Sequence, residues 1–257
     1  INDVSDPAFL DYDYIRIYEE LVGWQMQSRA SLDALFIGGG GYTFPRYMEA
    51  AYPGARIDVV EIDPEVTRIV HEHLGLPRST TIRSFNEDGR WFVMNSKDQG
   101  RYDFIFGDAF NDLSIPYHLT TREFAHQMKA LLKPDGLLIA NLIDSVTEGL
   151  FLPSYIRTLE DVFGKGNVNL LVLAPELQRL GIATCVVVAS PRKWDMRDFA
   201  RAAEGREGRR MTAHVLPQER LQEILSGRPS MVLTDDHVPV DNLTAPIFEA
   251  RYGYKRR

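Results

Sequence analysis

The stretch that most restricts the fold of this chain is residues 33–63, DALFIGGGGYTFPRYMEAAYPGARIDVVEID. An apolar run at 34–37 leads into four glycines at 38–41. A short helical segment follows, and a second apolar run at 57–60 ends in Glu61. A strand feeding a glycine turn, then a helix, then a second strand with an acid at its tip is the first half of a nucleotide-binding α/β sheet. Glycines let the backbone turn tightly and approach a ligand where a Cβ would clash, and the helix N-terminus that follows offers unpaired N–H groups. Glu61 lies 21 residues after Gly40, close to the spacing of about 20 at which an acid accepts hydrogen bonds from ribose hydroxyls. The pattern points to an adenosine-type ligand.

Spacing also sorts the ligands. A dinucleotide fingerprint needs glycine at the third position of G-x-G-x-x-G, and counting from Gly38 and Gly40 puts Thr43 there. NAD and FAD are therefore disfavoured. The chain has no G-x-x-x-x-G-K-[ST], so a phosphate-cradling P-loop is excluded. An S-adenosyl ligand carries no pyrophosphate and fits what remains.

The 257 residues are enough for one large core, and the composition, 44% hydrophobic and 25% charged, is that of a globular domain. No apolar run approaches the roughly 18 residues that span a bilayer, and no signal-peptide pattern opens the chain. A net charge of −7 argues against a nucleic-acid partner, which needs a basic face; weakly, it suits a cationic substrate. Cys185 is the single cysteine, so internal disulfides and cysteine metal clusters are excluded. His71 and His73, two apart on a helix, point in different directions, and no metal is expected.

Along the chain, tyrosines and aliphatics from Tyr12 to Val22 recur at helical spacing over residues 13–27. Thr43 is read as a helix cap with Pro45 in the first turn, and Asp63-Pro64 as a second cap starting a helix through His73. A short strand at 81–84 delivers Asn86, Glu87, Asp88 and Gly89 to the carboxyl rim, where ligands of open parallel sheets lie. Asp88 is placed to receive an adenine amino group and also to cap the helix at 90–95, two roles that are compatible. The strand at 102–106 delivers Gly107 and Asp108 to the same rim. Asp108 has apolar neighbours that would raise its pKa and make it a better base; capping the next helix is the alternative role. Residues 133–136, KPDG, read as a turn into a strand at 137–142, and further strands are expected at 168–173 and 184–189. The result is one doubly wound, mostly parallel seven-stranded α/β sheet, Rossmann-like, with helices on both faces. Residues 1–32 form a helical lead-in, 33–190 the nucleoside-binding core, and 191–257 a helical extension of the same domain. The extension ends in LTDDHVPVDN at 233–242, a segment for which a surface loop is the default and a fold-back toward the active rim the alternative.

These residues carry a resemblance. VVEIDPEV at 59–66, YEEL at 18–21 and the acidic loop with Asp108 and Asn111 resemble the spermidine synthase family, polyamine aminopropyltransferases on the S-adenosylmethionine-dependent methyltransferase fold. The resemblance runs over residues 14–173. It implies that Glu61 holds the ribose, Asp88 the adenine and Asp108 the attacking amine. Gly38, Gly39, Gly40, Ile62 and Gly89 complete the cofactor-binding set, and Tyr18, Glu20, Asn111 and Tyr117 the substrate-binding set.

Three departures stand against the family pattern. The glycine loop GGGDGG is GGGGYT here, the DSSDP-like loop is DAFND, and Glu19 occupies a histidine position. A site selecting cationic amines should keep several anions, because burying an unpaired ammonium is costly. The first expectation is aminopropyl transfer from decarboxylated S-adenosylmethionine to a small-molecule amine, with Asp108 as base. Methyl transfer from S-adenosylmethionine is the second, since bare glycine N–H groups receive a methionine carboxylate better than an aspartate does. The third is a non-catalytic nucleoside- or partner-binding domain, with Tyr42 and Phe44 filling cofactor space. The resemblance further implies an amino-terminal membrane region attached to a cytoplasmic domain, and a homodimer is the expected assembly.

Overall fold

The computed structural model describes residues 3–27, 29, 31–109, 115–146, 148–173, 182–194, 196, 198–199 and 213–253. Helix α1 (Asp13–Gln25) precedes β1 (Asp33–Ile37), and the alternation continues through α2 (Thr43–Ala51), β2 (Arg56–Val60), α3 (Pro64–His73), β3 (Arg83–Phe85), α4 (Gly89–Asn95) and β4 (Tyr102–Gly107). A 3₁₀ turn (Tyr117–Leu119), α5 (Arg122–Leu131), β5 (Leu132–Ser145), α6 (Phe151–Phe163), β6 (Val168–Leu173) and β7 (Ile182–Ala189) follow. The chain then forms β8 (Ala213–Val215), α7 (Gln218–Ser226) and α8 (Val240–Tyr252).

The strands lie in the order β3-β2-β1-β4-β5-β7-β6-β8. The pairs from β3 to β5 are parallel, and β7 is antiparallel to both β5 and β6. The two-residue period of a strand divides the core. Ala34 and Phe36 face α1, α2 and α3, with Phe36 stacked on Phe106 at 4.5 Å, while Leu35 and Ile37 face α5 and α6. Chain order reverses between β1 and β4, which creates a crevice at their carboxyl ends. Both the glycine loop and Asp108 leave the sheet there.

Three expectations are corrected. Among the described residues the sheet has eight strands, not seven, because β8 pairs antiparallel with β6 inside the extension read as helical. Residues 133–136 are not a turn before the strand but part of β5. The register against β4 jumps from Tyr102↔Leu132 to Phe104↔Leu137, so the extra residues form a bulge. Gly136 is required in it, since a Cβ would lie 2.8 Å from the Tyr102 carbonyl oxygen. Thr43 does not cap α2. The cap position belongs to Tyr42, left-handed at φ 52°, whose ring is buried and whose hydroxyl donates to Ser84 Oγ at 3.1 Å. Among the described residues no helix is long and apolar enough to cross a membrane. Within the extension, residues 195, 197 and 200–212 lie outside the described residues.

Candidate active site

The glycine loop and β4 meet by backbone contact. Gly38 has φ +98°, and a Cβ on it would lie 2.5 Å from the Asp108 carbonyl oxygen. Only glycine lets the two strand ends pass this closely. The Asp108 N–H donates to the Ile37 carbonyl at 3.0 Å, so the acid is held at the last rung of the β1–β4 ladder.

Glu61, only 9% exposed, directly follows β2 and turns back onto the loop. Its Oε2 accepts the N–H groups of Gly39 at 2.9 Å and Gly40 at 3.2 Å, and its Oε1 accepts that of Asp63 at 3.0 Å. The glycine N–H groups are therefore not bare, and the loop carries a carboxylate supplied from β2. Asp63 caps α3 through Glu65 N–H. Ile62 stands between these two acids with 67% of its surface exposed.

Asp88 performs the capping role: its Oδ1 accepts Trp91 N–H at 2.9 Å, while Oδ2 lies 2.9 Å from His118 Nε2. Burial pushes its carboxyl up. The Trp91 N–H, the His118 ring and the Arg90 N–H outweigh this and leave it below the usual aspartate value. Gly89 is fixed by packing, because a Cβ there would strike Ile37 Cγ2 at 2.6 Å.

Asp108 has the opposite environment. Burial raises its carboxyl from 3.8 to about 6, against the pull of hydrogen bonds from Asn141 and Tyr14. Asn141 Nδ2 donates to Oδ1 at 3.1 Å, and Asn141 Oδ1 is buried without a hydrogen-bond partner. The Tyr18 hydroxyl is likewise buried and unpartnered; its ring packs edge-on against Tyr14 and lies 5.0 Å from Phe106. Beside Asn141 an apolar crevice is lined by Ile37, Ala109, Ile115, Leu119 and Phe124. A second raised carboxyl, Asp144 at about 6 through burial, is structural: its oxygens accept the N–H groups of Ser145 and Leu152 at the start of α6.

Three expected site residues fare differently. Glu20 turns to β8, where its Oε2 accepts Ala213 N–H at 3.1 Å. Tyr117 is exposed on the 3₁₀ turn, its ring edge-on to His118. Asn111 lies outside the described residues. Tyr42 and Phe44 do not fill ligand space, since both rings belong to the core beneath α2. The sequence reading missed Tyr14, Asn141 and His118 as partners of the two acids. Signals for two of them existed. Tyr14 is four residues before Tyr18 and so shares its helix face, and Asn141 is the one polar residue in an apolar run.

The spermine/spermidine synthase domain matches residues 17–187, two thirds of the chain. The chain belongs to the spermine/spermidine synthase family. It is 41% identical over 108 residues to a polyamine aminopropyltransferase of Vibrio vulnificus, covering 42% of this chain and 36% of that protein. It is 30% identical over 181 residues to an N-terminal histidine N-methyltransferase of Emericella nidulans, covering 68% and 31%. The chain thus spans about a third of the length of each of these relatives. A probable spermidine synthase from Corynebacterium glutamicum superposes with a TM-score of 0.73 at 23% identity, covering 87% of this chain and 81% of that one. It shares the fold, a divergent spermidine synthase-like domain on the methyltransferase sheet.

Proposed function

We propose that this family member binds an S-adenosyl ligand and transfers an aminopropyl group from decarboxylated S-adenosylmethionine to an amine. The observation that carries the reading is Asp108, a carboxyl raised to about 6 at the crossing of β1 and β4, where the reacting atoms of a ligand on the glycine loop would lie. Glu61 would take ribose hydroxyls on its remaining lone pairs, and Asp88, held ionised, the adenine amino group. Asp108 would orient the acceptor nitrogen and remove its proton. As the amine attacks the carbon beside the sulfonium, a C–N bond forms and the C–S bond breaks. The electron pair goes to sulfur, methylthioadenosine leaves, and the proton goes to Asp108. Alignment and a desolvated base supply most of the acceleration.

The choice of aminopropyl over methyl transfer rests on Glu61. With its carboxylate on the N–H groups of Gly39 and Gly40, the loop has those two donors occupied and cannot offer them to a ligand carboxylate. That disfavours the carboxylate of intact S-adenosylmethionine. Methyl transfer is the second reading, favoured by the similarity to a protein named as an N-methyltransferase. Calorimetric titration with decarboxylated and intact S-adenosylmethionine tests the choice, together with release of methylthioadenosine in the presence of diamines. Tighter binding of the decarboxylated form with amine-dependent release is the expected result; preference for the intact form overturns the aminopropyl reading.

A further inference from the structure

The segment at 233–238 returns from the far end of the chain to the rim. Leu233 is fully buried; its N–H donates to Thr158 Oγ1 on α6 at 2.8 Å, and its carbonyl accepts Arg122 N–H at the start of α5 at 2.8 Å. Thr234 and His237 close a tight turn by exchanging backbone hydrogen bonds. At the tip of this turn Asp235 is held by its N–H on Glu123 Oε2 at 3.0 Å. Its carboxylate grips both terminal nitrogens of Arg90, with Nη1 at 2.7 Å.

Arg90 joins this turn to the two nucleoside-side elements. It is the second residue of α4, two after Asp88, and its Nη1 also donates to the His118 carbonyl at 2.9 Å and to Thr121 Oγ1 at 3.2 Å. His118 in turn places Nε2 on Asp88 Oδ2. A three-residue 3₁₀ turn has little stability of its own, so its position is set by what holds its backbone. A guanidinium presents its donors in a rigid fork, and the Asp235 carboxylate orients the fork so that one arm meets the His118 carbonyl. Leu119 of the same turn and Ile115 just before it line the crevice beside Asn141.

We infer that the 233–238 turn is a brace for the nucleoside site, in which Asp235, through Arg90 and the His118 backbone, positions the imidazole that holds Asp88. This rests on the reading of Asp88 as a nucleoside contact. Asp235 is a positioning residue and touches no reacting atom. Its side chain is 42% exposed, so the isosteric Asp235→Asn keeps the backbone bond to Glu123 and the fold.

A double-mutant cycle on ligand affinity tests the inference. The dissociation constant of methylthioadenosine would be measured by calorimetry on wild type, Asp235→Asn, His118→Ala and the double variant, with thermal melts as a check on folding. Asp235→Asn is expected to weaken binding about tenfold and His118→Ala by a similar factor. The double variant should be no weaker than His118→Ala alone, because both act on one contact. Multiplicative losses near a hundredfold, or unchanged affinity in Asp235→Asn, would overturn the brace while leaving the nucleoside site standing. A wild-type protein that binds no methylthioadenosine would overturn the nucleoside reading and the brace with it.

Discussion

Replacing Asp108 by Asn should make the protein more stable and less active, and the stability gain should depend on pH. Burial raises the Asp108 carboxyl from 3.8 to about 6, so the folded chain holds a proton there over a range in which the unfolded chain has lost it. Stability therefore falls as pH rises from 3.8 toward 6, and the full cost is present above about 6. At 1.36 kcal/mol per pH unit, that gap corresponds to about 3 kcal/mol. The Asp108→Asn side chain never ionises and avoids this cost. It does set an NH₂ group against the donors of Tyr14 and Asn141, a loss of about 1 kcal/mol. The net gain at pH 7.5 is about 2 kcal/mol, or roughly 4–8 °C in melting temperature for a domain of this size. At pH 4 the wild-type carboxyl is largely protonated when folded, so the gain should be gone and the hydrogen-bond loss should leave the variant about 1 kcal/mol less stable. Asp144, with a similar raised value, titrates in both proteins and cancels from the difference. Thermal melts of the two proteins at pH 7.5 and pH 4 measure the effect. A variant that melts lower than wild type at pH 7.5, or that gains equally at both pH values, refutes the account of Asp108 as a carboxyl held against its desolvation. Turnover should fall about 10²-fold or more on the usual scale of a lost general base.

Other perturbations separate the parts of the site. The kcat/KM of the wild type should rise through about pH 6 to a plateau as Asp108 ionises. Tyr14→Phe removes a donor to the ionised form and should move that limb alkaline by roughly half to one pH unit; an unmoved limb would detach Tyr14 from the base. Gly38→Ala forces a side chain into φ +98° and within 2.5 Å of the Asp108 carbonyl oxygen. It should cost about 2 kcal/mol in urea unfolding, with ligand affinity lost as the loop shifts. Asp58 is fully buried beneath Arg83, Arg101 and the Tyr102 hydroxyl. Asp58→Asn should destabilise by about 3 kcal/mol while leaving the turnover of folded enzyme intact, because the cluster lies at the opposite end of the sheet from Asp108.

What the sequence disclosed follows from how local each cause is. The span of α3 is legible because Asp63 and Pro64 act within one turn of themselves. The span of β6 is legible because Val168–Leu173, VNLLVL, is a short run with one polar residue, bounded by glycine before it and proline after it. The bulge at 133–136 looks like a turn in sequence, since proline, aspartate and glycine are turn residues. Only the register against β4 keeps it in the sheet. Three residues of β8 carry no period long enough to detect. At the candidate site, Glu61, Asp88 and Asp108 are nominated by their place just past strand ends, a property of the chain alone. Their partners are not, because which tyrosine of α1 reaches Asp108 depends on how the helix is rotated on the sheet. The sheet face selects Tyr14 for the carboxylate and buries Tyr18 beside it. Glu20, two residues farther along, is carried round to β8.

The two rim aspartates give the strongest internal support for the division of labour proposed. Both are carboxylates just past a strand end, each followed by a small residue. Asp88 has a helix N-terminus and an imidazole against its oxygens, which stabilise its charge and suit a permanent hydrogen-bond acceptor. Asp108 begins no helix among the described residues. Its two donors, a phenol and an amide, are neutral, and burial outweighs them. A pair of acids driven in opposite directions by their surroundings supports the proposed binder and base. The assignment can fail in one measurable way: if Asp88→Asn abolishes turnover at saturating ligand while Asp108→Asn changes only affinity, the roles are reversed. The expected split is the converse, with Asp88→Asn raising the ligand dissociation constant about tenfold or more and Asp108→Asn lowering kcat with affinity nearly unchanged.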